Sequence, residues 1–265
     1  MRLCPVVRCA VVGHVEWTEF AVVDRVPRPG EIAHAAEDWS GPAGGGAVVA
    51  AQLAKLAGGC DFFTALGDDA LGHASVSRLE ELGLSLHTEW FGSTRRALTL
   101  VEASGERTIT TIGPKLRPRE PLAADAYDAV FFVAGEVEVL RSARGARFLA
   151  ATAREFATLR DAAIRLDLLV GSATDPGERY EGGRDVGLVV ATEGELGGTA
   201  GGLRYQASPP PGPLADTYGA GDSFAAALCF ALARGDTRDA AFELAARAGA
   251  AVVTGKGPYT GQISG

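Results

Sequence analysis

The sequence predicts an α/β fold: a parallel sheet sandwiched between helical layers, with a small antiparallel β-lid. Three observations carry this. Short apolar runs are continuous rather than alternating, as in strands buried on both faces. They alternate with Ala- and Leu-rich helical stretches, which gives a parallel sheet with helices on its faces. Two regions break the rhythm with polar–apolar alternation, the pattern of an open antiparallel sheet.

Taken in order, "CAVVGHV" (9–15) reads as a strand and "AVVAAQLAKLAGG" (47–59) as a helix stopped by glycine. "DFFTALG" is the next strand and "DDALGHASVSRLEELG" (68–83) the next helix. "DAVFFVAG" (128–135) is a strand, followed by a helix over residues 141–160. "RLDLLVGS" (165–172) and "GLVVATEG" (187–194) are further strands, and helices over about 222–234 and 237–254 close the chain. The two exceptional regions are 16–36 and 95–112. They read as hairpins turning at Pro29-Gly30 and Ser104-Gly105, and as one lid made from two insertions. "SPPPGP" (208–213) is a short stiff connector, and the whole chain, 1–265, reads as one domain.

The totals narrow the function. With 47% hydrophobic and 22% charged residues, the chain has the composition of a globular protein with a sizeable core. A net charge of −8 argues against nucleic-acid or anionic-membrane partners, which need a basic surface. An anionic substrate has to be held by a local field. Cys4, Cys9, Cys60 and Cys229 form no CxxC pair and read as buried free thiols of a reducing cytoplasm. No apolar run is long enough to span a membrane, and Arg8 interrupts the N-terminal one, which rules out a signal peptide.

The chemistry concentrates in "DTYGAGDSFAAAL", residues 216–228. Gly219, Ala220 and Gly221 leave a backbone that a ligand can approach closely. The helix beginning near Asp222 adds unsatisfied N–H groups and the positive end of its dipole, so the segment forms an anion site. The plainer alternative is that Asp222 or Ser223 merely caps the helix.

This stretch resembles the C-terminal signature of the ribokinase-type carbohydrate kinases, also called the phosphofructokinase B family. Other stretches resemble that family in the right order. They are "VPRPGEI" (26–32) for the lid hairpin, "GGGAVVAAQLAKLAGG" (44–59) for the N-terminal glycine signature, and "TALGDDALG" (64–72) for the following strand and turn. "DPGE" (175–178) is similar to an Asn-x-x-Glu metal motif, with Asp175 in the Asn place, and "TEGELGG" (192–198) to a nucleotide segment. The resemblance implies a ribokinase-like sandwich with a β-lid, transfer of the ATP γ-phosphoryl to a hydroxyl, and a homodimer made by pairing lids.

It also implies roles by position. Asp222 is the base, with Gly219, Ala220 and Gly221 at the transferring phosphate. Glu178 and Asp175 organise Mg²⁺ through water. Thr192, Gly194 and Gly197 line the nucleotide site, Asp216 lies beside a monovalent cation such as K⁺, and Gly255 and Gly257 flank the base or that cation. Glu16, Thr18, Gly45, Gly46 and Glu136 surround the acceptor.

Two departures bear on the acceptor. Thr18 stands where the family usually has an Asp, and Val48 where it has an Asn. Both changes remove groups that grip a polyol, so the acceptor is not ribose-like or Glu16 and Glu136 take over. The stretch between Glu178 and Gly187 is trimmed. There is no GxxxxGK[ST] and no dinucleotide fingerprint, so neither a P-loop enzyme nor a dehydrogenase is expected. Asp68 and Asp69 read as helix caps. His14, His34, His73 and His87 lack metal spacing, and Lys115, Arg95 and Arg96 sit on or beside the lid. The expectation is an ATP- and Mg²⁺-dependent kinase of a sugar-like alcohol. The alternatives are a nucleoside kinase, with Val48 and Trp17 making an apolar acceptor pocket, and a non-catalytic nucleotide sensor.

Overall fold

The computed structural model describes residues 7–180, 182 and 185–265. The chain opens with β1 (Cys9–Val12), whose residues are all buried; Cys9 and Val11 enter one core, Ala10 and Val12 the other. It continues through β2 (Glu16–Val23), β3 (Glu37–Ala43), α1 (Gly45–Ala57), β4 (Cys60–Leu66), α2 (Ala70–Glu80) and β5 (Leu84–Trp90). Then come β6 (Arg96–Glu102), β7 (Arg107–Ile112), β8 (Ala129–Phe132), α3 (Val137–Ala143), β9 (Phe148–Thr152) and α4 (Phe156–Ala162). The last elements are β10 (Leu166–Ser172), β11 (Val186–Thr192), β12 (Gly198–Ala200), β13 (Leu203–Tyr205), α5 (Ala220–Arg234), α6 (Arg238–Val252) and α7 (Gly257–Thr260).

Nine strands form the main sheet in the order β13-β12-β11-β10-β9-β8-β1-β4-β5. The run from β11 to β5 is parallel, and β12 and β13 are antiparallel. Helices α1, α5 and α6 cover one face, and α3 and α4 the other. From β1 the chain first builds outward through β4 and β5, then crosses to β8 and builds the other way. The order therefore reverses beside β1, and the carboxyl ends of β1 and β8 flank the crevice where such sheets bind ligands.

The second sheet, β3-β2-β6-β7, has four strands. The first hairpin extends beyond the expected 16–36, because its return strand is β3, Glu37–Ala43. Its polar, proline-bearing sequence hid it. The expected helix over 141–160 is two short helices with β9 between them. "FLAAT" is buried on both faces, and such a run in an Ala- and Arg-rich segment does not distinguish strand from helix by period. β5, at the sheet edge, was not anticipated. Asp69 does cap α2, accepting from Gly72 N at 2.9 Å, and it also binds Thr94 Oγ1 at 2.7 Å, which secures the root of β6.

Cys9, Cys60 and Cys229 are buried, and burial pushes the Cys9 thiol up to about 12; Cys4 lies outside the described residues. Among the described residues no helix is long and apolar enough to cross a membrane.

One contact fixes the crevice. A Cβ on Gly46 would lie 2.6 Å from His14 O and 2.7 Å from His14 N, and one on Gly13 2.6 Å from Gly46 Cα. The N-terminus of α1 therefore rests directly on the main chain leaving β1. Gly46→Ala is expected to lower stability by about 1–3 kcal/mol, the usual cost of overpacking, read as a shift in the denaturant midpoint at unchanged slope.

Candidate active site

The first turn of α5 meets the crevice. Gly219 ends the preceding loop in the left-handed region at φ +83°, and no side chain caps the helix. Asp222 is therefore not an N-cap, which removes the plainer reading of its position. Ser223 is also turned inward, beside Gln262. Of the first-turn N–H groups, that of Ala220 reaches Thr217 O at 3.4 Å, while those of Gly221 and Asp222 have no intrahelical acceptor and remain available to an anion. A Cβ on Gly221 would meet nothing within 4 Å, so this stretch faces open space.

Asp222 faces the glycine turn of α1. Its Oδ1 lies 3.1 Å from the point a Cβ on Gly45 would occupy. Burial pushes the Asp222 carboxyl up to about 6, the Glu178 charge adds to this, and Arg107 and Arg154 oppose it. Gly44, at φ +93°, brings its missing Cβ within 3.2–3.3 Å of the His14 ring and 3.3 Å of Glu16 Cγ. The Gly44 N–H donates to Tyr218 Oη at 3.1 Å, which couples the α1 glycine turn to the loop before α5. Asp222, Gly45, Gly46, His14 and Glu16 thus converge.

Other expected residues occupy the rim. Asp175 and Glu178 follow β10, and their carboxylates meet one guanidinium: Arg154 Nη2 is 2.5 Å from Asp175 Oδ2 and 2.6 Å from Glu178 Oε1. Glu178 also accepts from Ser172 N, and Asp175 from Gly177 N. Thr192 ends β11 and donates to Gly171 O. Gly194, at φ +60°, faces open space, whereas a Cβ on Gly197 would strike Tyr205 O at 2.2 Å. Asp216 is buried. Its oxygens accept from Tyr218 N at 2.9 Å and Gly257 N at 3.2 Å, so it ties the loop before α5 to the loop holding Gly255 and Gly257. Glu136 is exposed at the start of α3, just beyond the carboxyl end of β8.

The acceptor residues differ from expectation in their surroundings. Thr18 is fully buried on the inner face of the second sheet, and its hydroxyl has no hydrogen-bond partner among the described residues. Val48 does not line an acceptor pocket. It is buried with Phe20, Val101 and Tyr218, its Cγ1 2.9 Å from the point a Cβ on Gly219 would take. Trp17 stacks under Arg78 of α2, on the strand face opposite Thr18.

Sequence reasoning missed a basic cluster. Glu155, buried after β9, holds Lys115 Nζ at 3.0 Å and also Arg117. Arg154 is its neighbour in the chain. Both were hidden inside the expected helix 141–160; recognising β9 would have put them at the carboxyl end of a parallel strand, where ligands bind.

Gly221→Ala is expected to leave stability unchanged or raise it by up to about 1 kcal/mol, since alanine suits a helix better than glycine. If this surface receives a phosphate, the same methyl lowers turnover by about 10²-fold, as loss of a comparable donor does. Thermal unfolding and ADP release together check this.

Comparison with known proteins agrees with this geometry. No curated protein matches the chain. Among solved structures it is similar to the ribokinase of Thermotoga maritima (TM-score 0.78, 21% identity, covering 97% of this chain and 96% of that one). It is also similar to the ribokinase of Arabidopsis thaliana complexed with ribose and ATP (0.75, 21%, 98% and 96%). A third is the nucleoside kinase of Methanocaldococcus jannaschii (0.77, 16%, 97% and 95%). The model of the pfkB family carbohydrate kinases matches residues 7–134 and 135–264. The chain therefore belongs to the pfkB family of carbohydrate kinases and is an ATP-dependent enzyme of that class.

Proposed function

We propose that this kinase transfers the γ-phosphoryl group of ATP to a hydroxyl of a sugar-like acceptor, with Asp222 as the base. The observation that carries the reading is the placing of Asp222 on an uncapped helix terminus opposite the glycine turn of α1, with its pKa near 6. At neutral pH it is largely ionised, yet more basic than an ordinary carboxylate, which suits proton abstraction. The acceptor O–H gives its proton to Asp222 as its oxygen bonds to the γ-phosphorus, and the bond to the bridging oxygen breaks to release ADP. The N–H groups at Gly219, Ala220 and Gly221 stabilise the charge on the transferring group, that of Ala220 by giving up its long contact to Thr217 O. Thr192, Gly194, Gly197, Gly255 and Gly257 border the nucleotide in this reading.

Mg²⁺ fits the residues present. Asp175 and Glu178 already converge on one cationic group, the Arg154 guanidinium, and among the described residues no set of three or more candidate ligands exists. These two carboxylates would hold the ion, with water and phosphate oxygens completing it. When bound it neutralises charge on the triphosphate. Asp216 accepts one backbone N–H on each oxygen, which leaves a lone pair on each to face a monovalent cation such as K⁺ in this reading. The second sheet acts as the lid; Leu98 (39% exposed) and Ile112 (46%) share its outer face, and two copies pairing there would cover them. Buried thiols suit a reducing cytoplasm.

The direct test is ADP release over a panel of acceptors with wild type and Asp222→Asn. Wild type is expected to turn over one acceptor strongly, and the variant to be slower by orders of magnitude at near-normal ATP affinity. Equal rates would remove Asp222 as base. For wild type, kcat/KM is expected to fall tenfold per pH unit below about pH 6.

Stability should move the other way. A carboxyl raised from 3.8 to about 6 weakens the fold as pH climbs through that window. At about 1.4 kcal/mol per pKa unit, less what water screens, Asp222→Asn is expected to be about 1–2 kcal/mol more stable than wild type at pH 7 and no more stable at pH 3. Urea unfolding at both pH values decides this.

A further inference from the structure

The floor beneath the lid carries polar groups that the transfer reaction leaves unused. His14 is 8% exposed, and its Nδ1 has no hydrogen-bond partner among the described residues. Glu16 Oε2 and Arg95 Nε stand 3.1 Å apart without hydrogen-bond geometry, both buried. The hydroxyls of Thr18 and Thr99 point from the lid's inner face and are likewise unpartnered. Buried polar atoms in a folded chain are ordinarily satisfied. Glu16 and Arg95 meet each other as an ion pair, so the unmet atoms are His14 Nδ1 and the two threonine hydroxyls, and an unmet buried Nδ1 is a place for a polar ligand to bind.

A local surplus of positive charge sits at one edge of that floor, although the chain carries −8. Lys115 and Arg117 share the single carboxylate of Glu155, which leaves one positive charge over. Arg117 also reaches Gly135 O at 3.5 Å, two residues from Val133, whose Cγ1 lies 3.3 Å from the Cβ position of Gly45. The basic pair thus borders the same floor that faces Asp222. Burial drives His14 well below its ordinary range, and the charges of Lys115, Arg95, Arg117 and Arg154 push it the same way, so the imidazole is neutral. The carboxylates facing this space are Glu16, paired with Arg95, Glu155, shared as described, and Asp222; Asp175 and Glu178 are held by Arg154.

Resting on the kinase reading above, we propose that the acceptor carries an anionic group, a carboxylate or a phosphate, held by Lys115 and Arg117 beside His14 while its hydroxyl faces Asp222. Glu16 is engaged by Arg95 and Glu136 is exposed, whereas the Lys115–Arg117 pair holds one more positive charge than its carboxylate answers. A sugar acid and a sugar phosphate share this chemistry.

The test compares D-gluconate, D-ribose 5-phosphate and D-fructose 6-phosphate with D-glucose, D-ribose and adenosine. Binding is followed calorimetrically in the presence of Mg²⁺ and a non-hydrolysable ATP analogue, and turnover by ADP release with ATP. An anionic compound is expected to bind most tightly, with an affinity that falls as salt rises. The carboxylate and phosphate arms tell which anion it is. Lys115→Met keeps Arg117 on Glu155 and is expected to weaken that compound about 10- to 100-fold while changing binding of the neutral sugars little. Binding of an anion that Lys115→Met abolishes, without phosphoryl transfer to it, would keep this inference and count against the kinase reading. Preference for a neutral sugar or adenosine, or no binding by any of the three anions, would overturn it.

Discussion

The close approach of Gly46 to the main chain of His14 and Gly13 is the constraint on which the rest of the site depends. No side chain fits there, so the first turn of α1 is pressed onto the exit of β1 at the point where the strand order reverses. From that contact the neighbouring pieces follow. Gly44 and Gly45 are held open toward the crevice, His14 and Glu16 are turned beneath the lid, and the Gly44–Tyr218 hydrogen bond brings the loop before α5 alongside. The glycines here act as spacers that let two helix termini and a strand end share a volume that side chains would otherwise fill.

Electrostatics then divides this small volume. The protein is acidic overall, yet Arg107, Arg154, Lys115, Arg117 and Arg95 gather at the carboxyl ends of the strands and the root of the lid. Each meets a carboxylate or an aromatic face: Arg154 meets Asp175 and Glu178, Arg95 meets Glu16, and Arg107 lies over Tyr218. Asp222 and Glu16 both face the glycine turn with their basicity raised by burial, and of the two only Glu16 is paired with a guanidinium, that of Arg95. A negatively charged enzyme can thus handle anionic reactants, because the field that matters acts over a few ångströms and is screened from the outer surface.

Much of this was legible in the sequence, for identifiable reasons. The stretch Gly219-Ala220-Gly221 before an apolar helix announced a helix terminus left bare of side chains, and α5 does begin there with no side-chain cap. The order of the short motifs announced the fold. What stayed hidden was β9, since "FLAAT" lies between arginine-rich stretches of high helix propensity, and a fully buried strand has no period to betray it. With β9 went Arg154 and Glu155, whose meaning comes only from the strand they follow. The surroundings of Val48 were hidden for a related reason: its partners Phe20 and Tyr218 come from distant parts of the chain.

The hydrogen bond from Gly44 to Tyr218 reaches further than its single distance suggests. Asp216 fixes the other end of the same loop to residue 257, so the two glycine turns and the C-terminal loop form one clamped body. The four-stranded sheet is held to that body along its edge, where Thr217 also donates to Gly105 O from its backbone and its hydroxyl. Arg107 of β7 adds a side-chain tie to the same residue, donating to Thr217 Oγ1 at 2.9 Å, so three hydrogen bonds on one threonine join the two sheets' regions.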